Sequence, residues 1–541
     1  MRLARMGQMM PNRLSFLRVL MRNLAEIGTP PERRVWDIDA DGYGQAVYTL
    51  TLGGYSYSLV VFTRPLADAN RSDRVIATAW DAAFVLYDGV PDAGELARLA
   101  ENVPRQEAGT FTARELVLSR ANKSVRLFAD VVASLRAGRA PDADLLAATG
   151  YLMRTTAVYG NGKFGIADRA DISARPGLGG PFMAEMLAVW LMRGFTHDLV
   201  EHVGGAPLDR GLKRQLGVGN ATGLGMAPFL VSHPLLLDAW FQVRETALAR
   251  VLSQTSISEA EATALIAAAE QARLHLVSWH VQDTEANAVI RQTERQWTAF
   301  CAELTVGDLR AEGGLARAFD GLSGQGETLE ELAAAWVIEP FGDLVDGLAE
   351  CLATPFRPVL DPTMTCAALR RVLEAHGDWA ITLDFSQPGA VAQFWYVSED
   401  KLEPRLGQRA TEPGAERETP LDTARQFAAL YAACPDDETP LWQFLAAAPE
   451  HRSAARRAQT LVRHPYAEVR DNLLDAATAP VDLLRAKLSM FGATRFDPKS
   501  RLWTRVTLAQ GLPLFDELDR PADWLPCPVH TPVHTPVHAA P

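Results

Sequence analysis

Residues 47–63 read VYTLTLGGYSYSLVVFT, and this stretch constrains the fold more than any other part of the chain. Apolar and polar side chains alternate on both sides of Gly53-Gly54, which is typical of two strands joined by a two-residue turn. Residues 74–89, RVIATAWDAAFVLYDG, form another apolar stretch of strand character. The sequence therefore predicts a small antiparallel sheet over 47–89 that is packed by flanking helices.

Helical spacing dominates the rest of the chain. From about residue 93, apolar residues recur every three or four positions, in ELARLAENV and again in TARELVLSRANKSVRLFADVVASLRAG. Thr112 and Glu115 have the spacing of a capping box, which predicts the start of a helix in the second stretch. Long helices are also predicted from Pro234 to about residue 303 and over 328–353.

A second strand-like segment, 379–400, reads WAITLDFSQPGAVAQFWYVSED. Two apolar runs flank Pro388-Gly389, as in the first hairpin, and the segment either pairs with the first sheet or marks a weak duplication. The predicted fold class is therefore mainly α with a smaller β component (α+β). It is a helical core with a small antiparallel sheet from 47–89, to which 379–400 is a candidate addition.

The length of 541 residues and an apolar share of 48% provide material for several hydrophobic cores. Changes in pattern along the chain predict five units. These are an N-terminal α+β unit (1–110), a helical core with glycine-rich loops (111–355), a strand-containing segment (356–410), a C-terminal helical unit (420–525) and a disordered tail (526–541).

Composition excludes several classes of function. The net charge of −13 argues against a general affinity for nucleic acid or for anionic membrane. The chain contains no run of 18 apolar residues, so we expect no membrane-spanning helix. Its five cysteines are scattered, without a C-x-x-C pair, which predicts neither a disulfide framework nor a zinc site and favours the cytoplasm.

Glycine-rich loops punctuate residues 150–232, and one of them, GNGKFG (160–165), matches the dinucleotide pattern G-x-G-x-x-G. The preceding YLMRTTAVY has the character of a strand. The following IADRADISARPG is charged and contains Pro176, so no apolar helix opens there to meet a pyrophosphate. The loop GVGNATGLGMAPF (217–229) follows a segment too charged for a buried strand. The sequence therefore predicts no nucleotide fingerprint and leaves the cofactor unknown.

The polar residues of these loops are the candidate site. Glycines allow backbone N–H groups to approach a ligand, and nearby cations suit a carboxylate or a phosphate. His197 follows an apolar helix together with Asp198 and Glu201, and is a candidate acid or base. No metal site is predicted. The predicted substrate-binding residues are Tyr159, Asn161, Lys163, Arg169 and Asn220, and the predicted catalytic residues are His197, His233 and Asp168.

The predicted function is a soluble enzyme that binds a small anionic metabolite in a pocket formed by the loops of 159–233. Its reaction type is open, and so is assembly into a homo-oligomer. The alternative is a helical interaction or regulatory protein that uses its C-terminal helices as a scaffold.

One stretch of the C-terminal helices, RRAQTLVRHPYAEVRDNLLDAATAPVDLLRAKL (456–488), resembles a single unit of a HEAT-like helical repeat. The resemblance rests on five features: His464-Pro465, Glu468-Val469-Arg470, Leu473-Leu474, Ala479-Pro480 and Leu483-Leu484. It implies local packing of a helix pair. A solenoid needs at least three repeats, and no second copy occurs at a fixed period.

Overall fold

The structure is a computed structural model that describes most of the chain. The described residues are 14–67, 80–160, 172, 174–180, 182–221, 234–281, 283–345, 347–349, 360–388, 390, 395–398, 401–404, 420–463, 479–489, 495–500 and 503–518.

Nine strands of the described residues form one sheet, in the order β1-β2-β3-β4-β5-β6-β7-β11-β10. Neighbouring strands are antiparallel except β6 and β7, which are parallel. The strands are β1 (Glu32–Ile38), β2 (Gly44–Leu52), β3 (Tyr55–Thr63), β4 (Ala82–Asp88), β5 (Glu115–Lys123), β6 (Tyr151–Gly160), β7 (Gly217–Ala221), β10 (Arg495–Ser500) and β11 (Trp503–Leu508).

The predicted hairpin is confirmed. Strands β2 and β3 pair directly from Leu52 with Tyr55 to Gly44 with Thr63. Gly53 and Gly54 form the turn between them with φ angles of 60° and 80°. Both angles lie in the left-handed region, which a two-residue hairpin turn with the right twist requires and which glycine adopts without strain.

The mixed α and β class is confirmed, but the prediction that the sheet is small is wrong. Residues 115–123 form the strand β5 rather than the helix that their spacing predicted. Leu116 and Val117 belong to the core on one side of the sheet and Leu118 to the core on the other. A strand covered on both faces carries no alternation of apolar and polar residues, so the period-two signal is absent. The backbone N–H of Thr112 does donate to the carboxylate of Glu115 as in a capping box, and its hydroxyl donates to the same carboxylate over 2.9 Å, but a strand follows.

The prediction that 379–400 is strand-like is wrong for its first half. Asp378–Ile381 is a helix, and β8 (Trp395–Ser398) pairs only with β9 (Lys401–Pro404) in a separate two-stranded sheet. The apolar run at 379–381 instead faces a helical core, where Ala380 is fully buried.

Helices make up most of the remaining described structure. They are α1 (Phe16–Ile27), α2 (Ala93–Asn102), α3 (Val125–Arg136), α4 (Ala143–Thr149), α5 (Met183–Gly204), α6 (Arg210–Gln215), α7 (Pro234–Leu252), α8 (Glu259–Ser278), α9 (Thr284–Glu303), α10 (Val306–Arg310), α11 (Gly314–Asp320), α12 (Glu327–Ile338), α13 (Gly342–Val345), α14 (Cys366–His376), α15 (Asp378–Ile381), α16 (Pro420–Ala433), α17 (Leu441–Ala447), α18 (Arg452–Arg463) and α19 (Pro480–Ser489).

Three clusters of buried apolar residues hold these elements. The largest joins one face of the sheet to α5 and continues through α7, α8, α9 and α12 to α19. A smaller one covers the other face of the sheet under α2. The third lies among α14 to α18. Helix α18, which opens the HEAT-like stretch, packs in the third cluster, and α19, which ends it, packs in the first. The predicted repeat and the five predicted units stay predictions.

The two glycines of GVGN (217–220) serve packing in β7. A Cβ on Gly217 would lie 2.3 Å from the carbonyl oxygen of Leu508, and one on Gly219 would lie 2.7 Å from the ring of Tyr151. Only glycine lets these neighbouring strands and side chains approach so closely. Residues 217–221 of the segment predicted to be a loop are therefore a strand, and 222–229 lie outside the described residues. Within the described part of the chain, every helix is too short or too polar to cross a bilayer.

Candidate functional site beside helix α5

A cavity of about 290 Å³ lies beside the second half of α5. Helix α5 forms one wall, residues 207–213 form the second, and residues 513–516 form the roof. Three segments that are distant in sequence therefore meet here, and most of the side chains at the cavity carry polar or charged groups.

A glycine in α5 lets the roof approach the helix. A Cβ on Gly194 would lie 1.9 Å from the end of the Phe515 ring. This ring packs edge-on against Trp190, with 4.9 Å between the ring centroids. The indole N–H of Trp190 donates to the carbonyl oxygen of Pro513 over 3.0 Å, which fixes the roof to the helix.

Arg193 joins the same three segments from within the core. It is 2% exposed, and its guanidinium donates to the carbonyl oxygens of Leu216 (2.9 Å), Lys213 (3.1 Å) and Pro513 (3.3 Å). Two of these carbonyls belong to the last turn of α6, where helix geometry leaves such groups without a partner. Burial lowers the pKa of Arg193 to about 9, and the carbonyl dipoles compensate its charge.

His197 is a buried imidazole at the cavity wall, and only 4% of it is exposed. Its ring hydrogen-bonds the backbone of Leu216, while Nε2 has no hydrogen-bond partner among the described residues. Burial, with the positive charges of Arg193 and Lys213, holds its pKa well below the usual range. The ring is therefore neutral at physiological pH. Because a backbone carbonyl can only accept, we assign the ring proton to Nδ1, which leaves a lone pair on Nε2.

Asp198 faces the cavity next to His197 in sequence. Its carboxyl group accepts a hydrogen bond from the hydroxyl of Tyr48 over 2.7 Å and lies 3.4 Å from the guanidinium of Arg33. Burial raises the pKa of Asp198, and the same burial raises the pKa of Tyr48. The imidazole and the carboxyl are thus both shifted towards their neutral forms, which is the pattern of acid and base groups in active sites.

The remaining cations of the cavity are held by carboxylates. The ammonium of Lys213 lies 2.7 Å from Glu201, which also accepts the backbone N–H of Leu208 over 2.6 Å. Arg210 forms a two-pronged pair with Asp516, with distances of 2.8 and 3.1 Å. These contacts orient Lys213 and Arg210 at the rim without fully burying them.

Glu517 holds the roof onto helix α6. Its carboxylate is fully buried and accepts from the Nε atoms of Arg210 (2.8 Å) and Arg214 (3.0 Å) and from the backbone N–H of Leu514 (2.8 Å). The backbone N–H of Gly511 adds a bond to the carbonyl of Arg214. These contacts therefore hold the roof against α6.

Most of the predicted site residues lie outside the described residues: Asn161, Lys163, Asp168, Arg169 and His233. For Tyr159 and Asn220 the structure describes the backbone. Tyr159 pairs with Leu118 near the end of β6, and Asn220 pairs with Thr155 near the end of β7.

His197 lies away from Asn220. Its ring contacts Leu216, which precedes β7, and Asn220 is four residues further, or about 13 Å along an extended chain. His197 is therefore at the opposite end of β7 from Asn220. The structure places His197, Asp198 and Glu201 within α5 rather than after it, and all three line the cavity.

Sequence reasoning missed Lys213, Arg210, Arg193, Tyr48 and the roof. The charged stretch LDRGLKRQL (208–216) is the available signal, since it contains two of these residues, Arg210 and Lys213. Its charges indicate from the sequence only that it is not a buried strand. Its charges in fact form one wall of the cavity.

The described residues contain no group of three or more His, Cys, Asp or Glu side chains that could hold a metal ion. Comparison with protein-family models, with curated proteins and with solved structures finds no match to this chain. The site therefore has to be interpreted from its own geometry.

The lowered pKa of His197 predicts a pH-dependent loss of stability. Below about pH 6.5 the unfolded chain binds a proton at this histidine that the folded chain does not. The free energy of unfolding should therefore decrease as the pH decreases, by at most about 1.4 kcal/mol per pH unit from this group. His197→Asn removes this contribution while keeping an N–H near Nδ1. Chemical denaturation at pH 8, 6 and 5 measures the difference between wild type and variant. A difference that is constant over this range would contradict the assignment.

Proposed function

We propose that the chain is an enzyme that binds a small polar metabolite in the α5 cavity and uses His197 as its general base. The observation that carries the proposal is Nε2 of His197, which belongs to a buried ring of lowered pKa at the wall of a cavity and has no hydrogen-bond partner among the described residues. Buried polar groups are nearly always hydrogen-bonded, so an exception at a cavity indicates a ligand.

The geometry supports a role for each polar group. Nε2 of His197 accepts a hydrogen from an O–H or N–H of the metabolite. Asp198, whose pKa is raised by burial, lies on the same wall, where it accepts from Tyr48 and pairs with Arg33. Lys213 and Arg210 can bind a carboxylate or phosphate of the metabolite through their positive charges. The ligand then competes with Glu201 for Lys213 and with Asp516 for Arg210. These two cations, with Arg193, support the anionic class of metabolite predicted from the sequence.

A panel of small hydroxy acids, amino acids and sugar phosphates tests the proposal by thermal shift. At a concentration of 100 times its dissociation constant, a ligand stabilises the folded chain by about 2.7 kcal/mol. We expect His197→Asn to lose this stabilisation, because the variant lacks Nε2. His197→Gln places an amide near Nε2 and should retain part of the binding without proton transfer.

His275→Asn is the matched control. His275 also has a buried Nε2 without a partner among the described residues, and burial lowers its pKa to about 3. It lies on α8, which is not part of the cavity wall. The proposal fails if no compound of the panel stabilises the wild type, or if the ligand stabilises His197→Asn as much as it stabilises His275→Asn.

A second candidate site is favoured by the parallel pairing of β6 and β7. In open sheets, ligands bind outside the carboxyl ends of neighbouring parallel strands. GNGKFG begins at Gly160, the last residue of β6, and TGLGMAPF follows Ala221, the last residue of β7. This arrangement supports a pocket for the small anionic metabolite at 159–233. The ligand response of Lys163→Ala, compared with that of His197→Asn, distinguishes the two sites.

The alternative function, an interaction or regulatory protein, stays a prediction. Two large apolar side chains of the C-terminal helices, Trp442 and Val462, are more than half exposed. A tight small ligand found by the panel would count against this alternative, and the absence of any such ligand would favour it.

A further inference from the structure

Helix α5 presents atoms to the α5 cavity that can accept hydrogen bonds and receive none from the described residues. Nε2 of His197 is the first of them. Asp198 provides the second. Its Oδ2 atom accepts from Tyr48 over 2.7 Å and from Arg33 over 3.4 Å, whereas Oδ1 has no such partner among the described residues. Asp198 lines the cavity, and 28% of its side chain is exposed.

Glu201, one turn further along α5, provides the third acceptor. Its Oε1 atom accepts the backbone N–H of Leu208 over 2.6 Å and lies 2.7 Å from the ammonium of Lys213. Its Oε2 atom has no partner among the described residues, and 22% of the side chain is exposed at the cavity. One helix therefore presents three open acceptors, and a ligand that satisfies them supplies several hydrogen-bond donors.

The spacing of these acceptors favours donors that are spread along a chain of atoms. A turn of helix rises about 5.4 Å, so His197 and Glu201, four residues apart, lie on the same side of α5 at different heights. Each hydroxyl group has one hydrogen to donate and therefore satisfies one acceptor. Hydroxyl groups on successive carbons reach acceptors at different heights, which a ligand with a single hydroxyl group does not.

The ion pairs of the cavity favour uncharged donors at the three open atoms. Lys213 pairs with Glu201 at 2.7 Å. Arg210 pairs with Asp516 at 2.8 Å. A hydroxyl group bonds an open oxygen or nitrogen atom and leaves these pairs intact. An ammonium group would add positive charge beside Lys213, Arg210 and Arg193, which line the same cavity. Hydroxyl groups therefore fit the open acceptors better than ammonium groups do.

We propose that the metabolite of the α5 cavity is a polyhydroxylated acid, a compound of the sugar-acid class. Its hydroxyl groups donate to His197, Asp198 and Glu201. Its carboxylate lies at Lys213 and Arg210. Apolar side chains that line the rest of the cavity contact its carbon chain: Trp190, Leu208, Leu514 and Phe515. This ligand class rests on the proposed function, which places the metabolite in the same cavity.

Isothermal titration calorimetry of the full chain with gluconate and with hexanoate tests the ligand class on the wild type. Both compounds have six carbons and one carboxylate, and only gluconate carries hydroxyl groups. We expect gluconate to bind with a dissociation constant below about 1 mM and hexanoate at least about tenfold more weakly. Hexanoate binding as tightly as gluconate would overturn the proposal.

Nitrogen-15 NMR locates the bound gluconate without a variant of the cavity. A hydroxyl group that donates to Nε2 of His197 should move the signal of this nitrogen on titration. The signal of His275, whose Nε2 is also buried and without a partner among the described residues, should stay in place. An unchanged His197 signal at saturating gluconate, or equal movement of both signals, would refute the placement.

Asp198→Ala removes one open acceptor and should weaken gluconate binding at least about fivefold. The matched control is Asp130→Ala. Asp130 accepts the backbone N–H of Asp142 over 2.9 Å, and 21% of its side chain is exposed, but it lies on α3 outside the cavity lining. An equal loss in the two variants would contradict the proposed contact.

The panel of hydroxy acids, amino acids and sugar phosphates separates this ligand class from the proposed function. A compound without neighbouring hydroxyl groups that binds in a manner dependent on His197, while gluconate does not bind, would overturn the sugar-acid class and leave the proposed function intact. The absence of any ligand that depends on His197 would overturn both.

Discussion

Glu517→Gln is expected to lower the free energy of unfolding by about 3–5 kcal/mol, because it removes the charge of a buried carboxylate and leaves its partners. Arg214 loses its ionic partner while only 14% of its side chain is exposed. The roof segment 513–516 also loses the ionic contact of Glu517 with Arg214, which is one of its attachments to α6. We therefore expect the variant to lose ligand binding in the α5 cavity as well as stability. Chemical denaturation followed by tryptophan fluorescence measures the first effect.

Asp516→Asn is the matched control for this prediction. Asp516 is the neighbour of Glu517 and pairs with the same Arg210, but 65% of its side chain is exposed. Exposed ion pairs contribute at most about 1 kcal/mol. A loss in Glu517→Gln no larger than that in Asp516→Asn would show that burial of the carboxylate does not determine the strength of the clamp.

Glu331→Gln is expected to have an effect of similar size at a different place. Glu331 is 1% exposed on α12 and accepts from the indole N–H of Trp240 (2.8 Å), from Arg244 (2.7 Å) and from Arg485 (2.8 Å). These partners belong to α7 and α19, so one carboxylate joins three helices. Its neutralisation leaves Arg485, 6% exposed, without its buried counter-charge, at a cost of about 3–5 kcal/mol.

Glu245→Gln is the matched control for this prediction, because it removes an ion pair with Arg244 that is exposed rather than buried. Glu245 bonds the same Arg244 over 2.5 Å, but 62% of its side chain is exposed to water. We expect its loss to change the denaturation midpoint far less than Glu331→Gln does. Equal midpoints for the two variants would contradict the proposed role of Glu331 in joining α7, α12 and α19.

Local sequence patterns predict the parts of this fold that are themselves local. The hairpin at Gly53-Gly54 is readable because its strands alternate and its turn is two glycines long. Strand β5 cannot be recognised from the sequence. The sheet is covered on both faces there, so residues 115–123 show no alternation of apolar and polar side chains. Strand β7 is hidden because its glycines, needed for contact with Leu508 and Tyr151, resemble those of a loop.

The candidate site was predictable only along one helix. His197, Asp198 and Glu201 are close in sequence, and their polar groups after an apolar helix marked them. Lys213 meets Glu201 only because α6 folds back beside α5. The roof at Phe515 lies more than 300 residues from Gly194, and no local pattern connects the two. Tertiary contacts of this kind leave no periodic signal in the sequence.

The protonation state of His197 tests the central claim most directly. Nitrogen-15 NMR of the histidine side chains, with the signal assigned by its loss in His197→Asn, reports which ring nitrogen carries a proton. We predict a neutral ring with the proton on Nδ1 and a free lone pair on Nε2 from pH 5 to pH 8. A ring that is protonated on both nitrogens at pH 6, or a neutral ring with its proton on Nε2, would contradict the proposed general base.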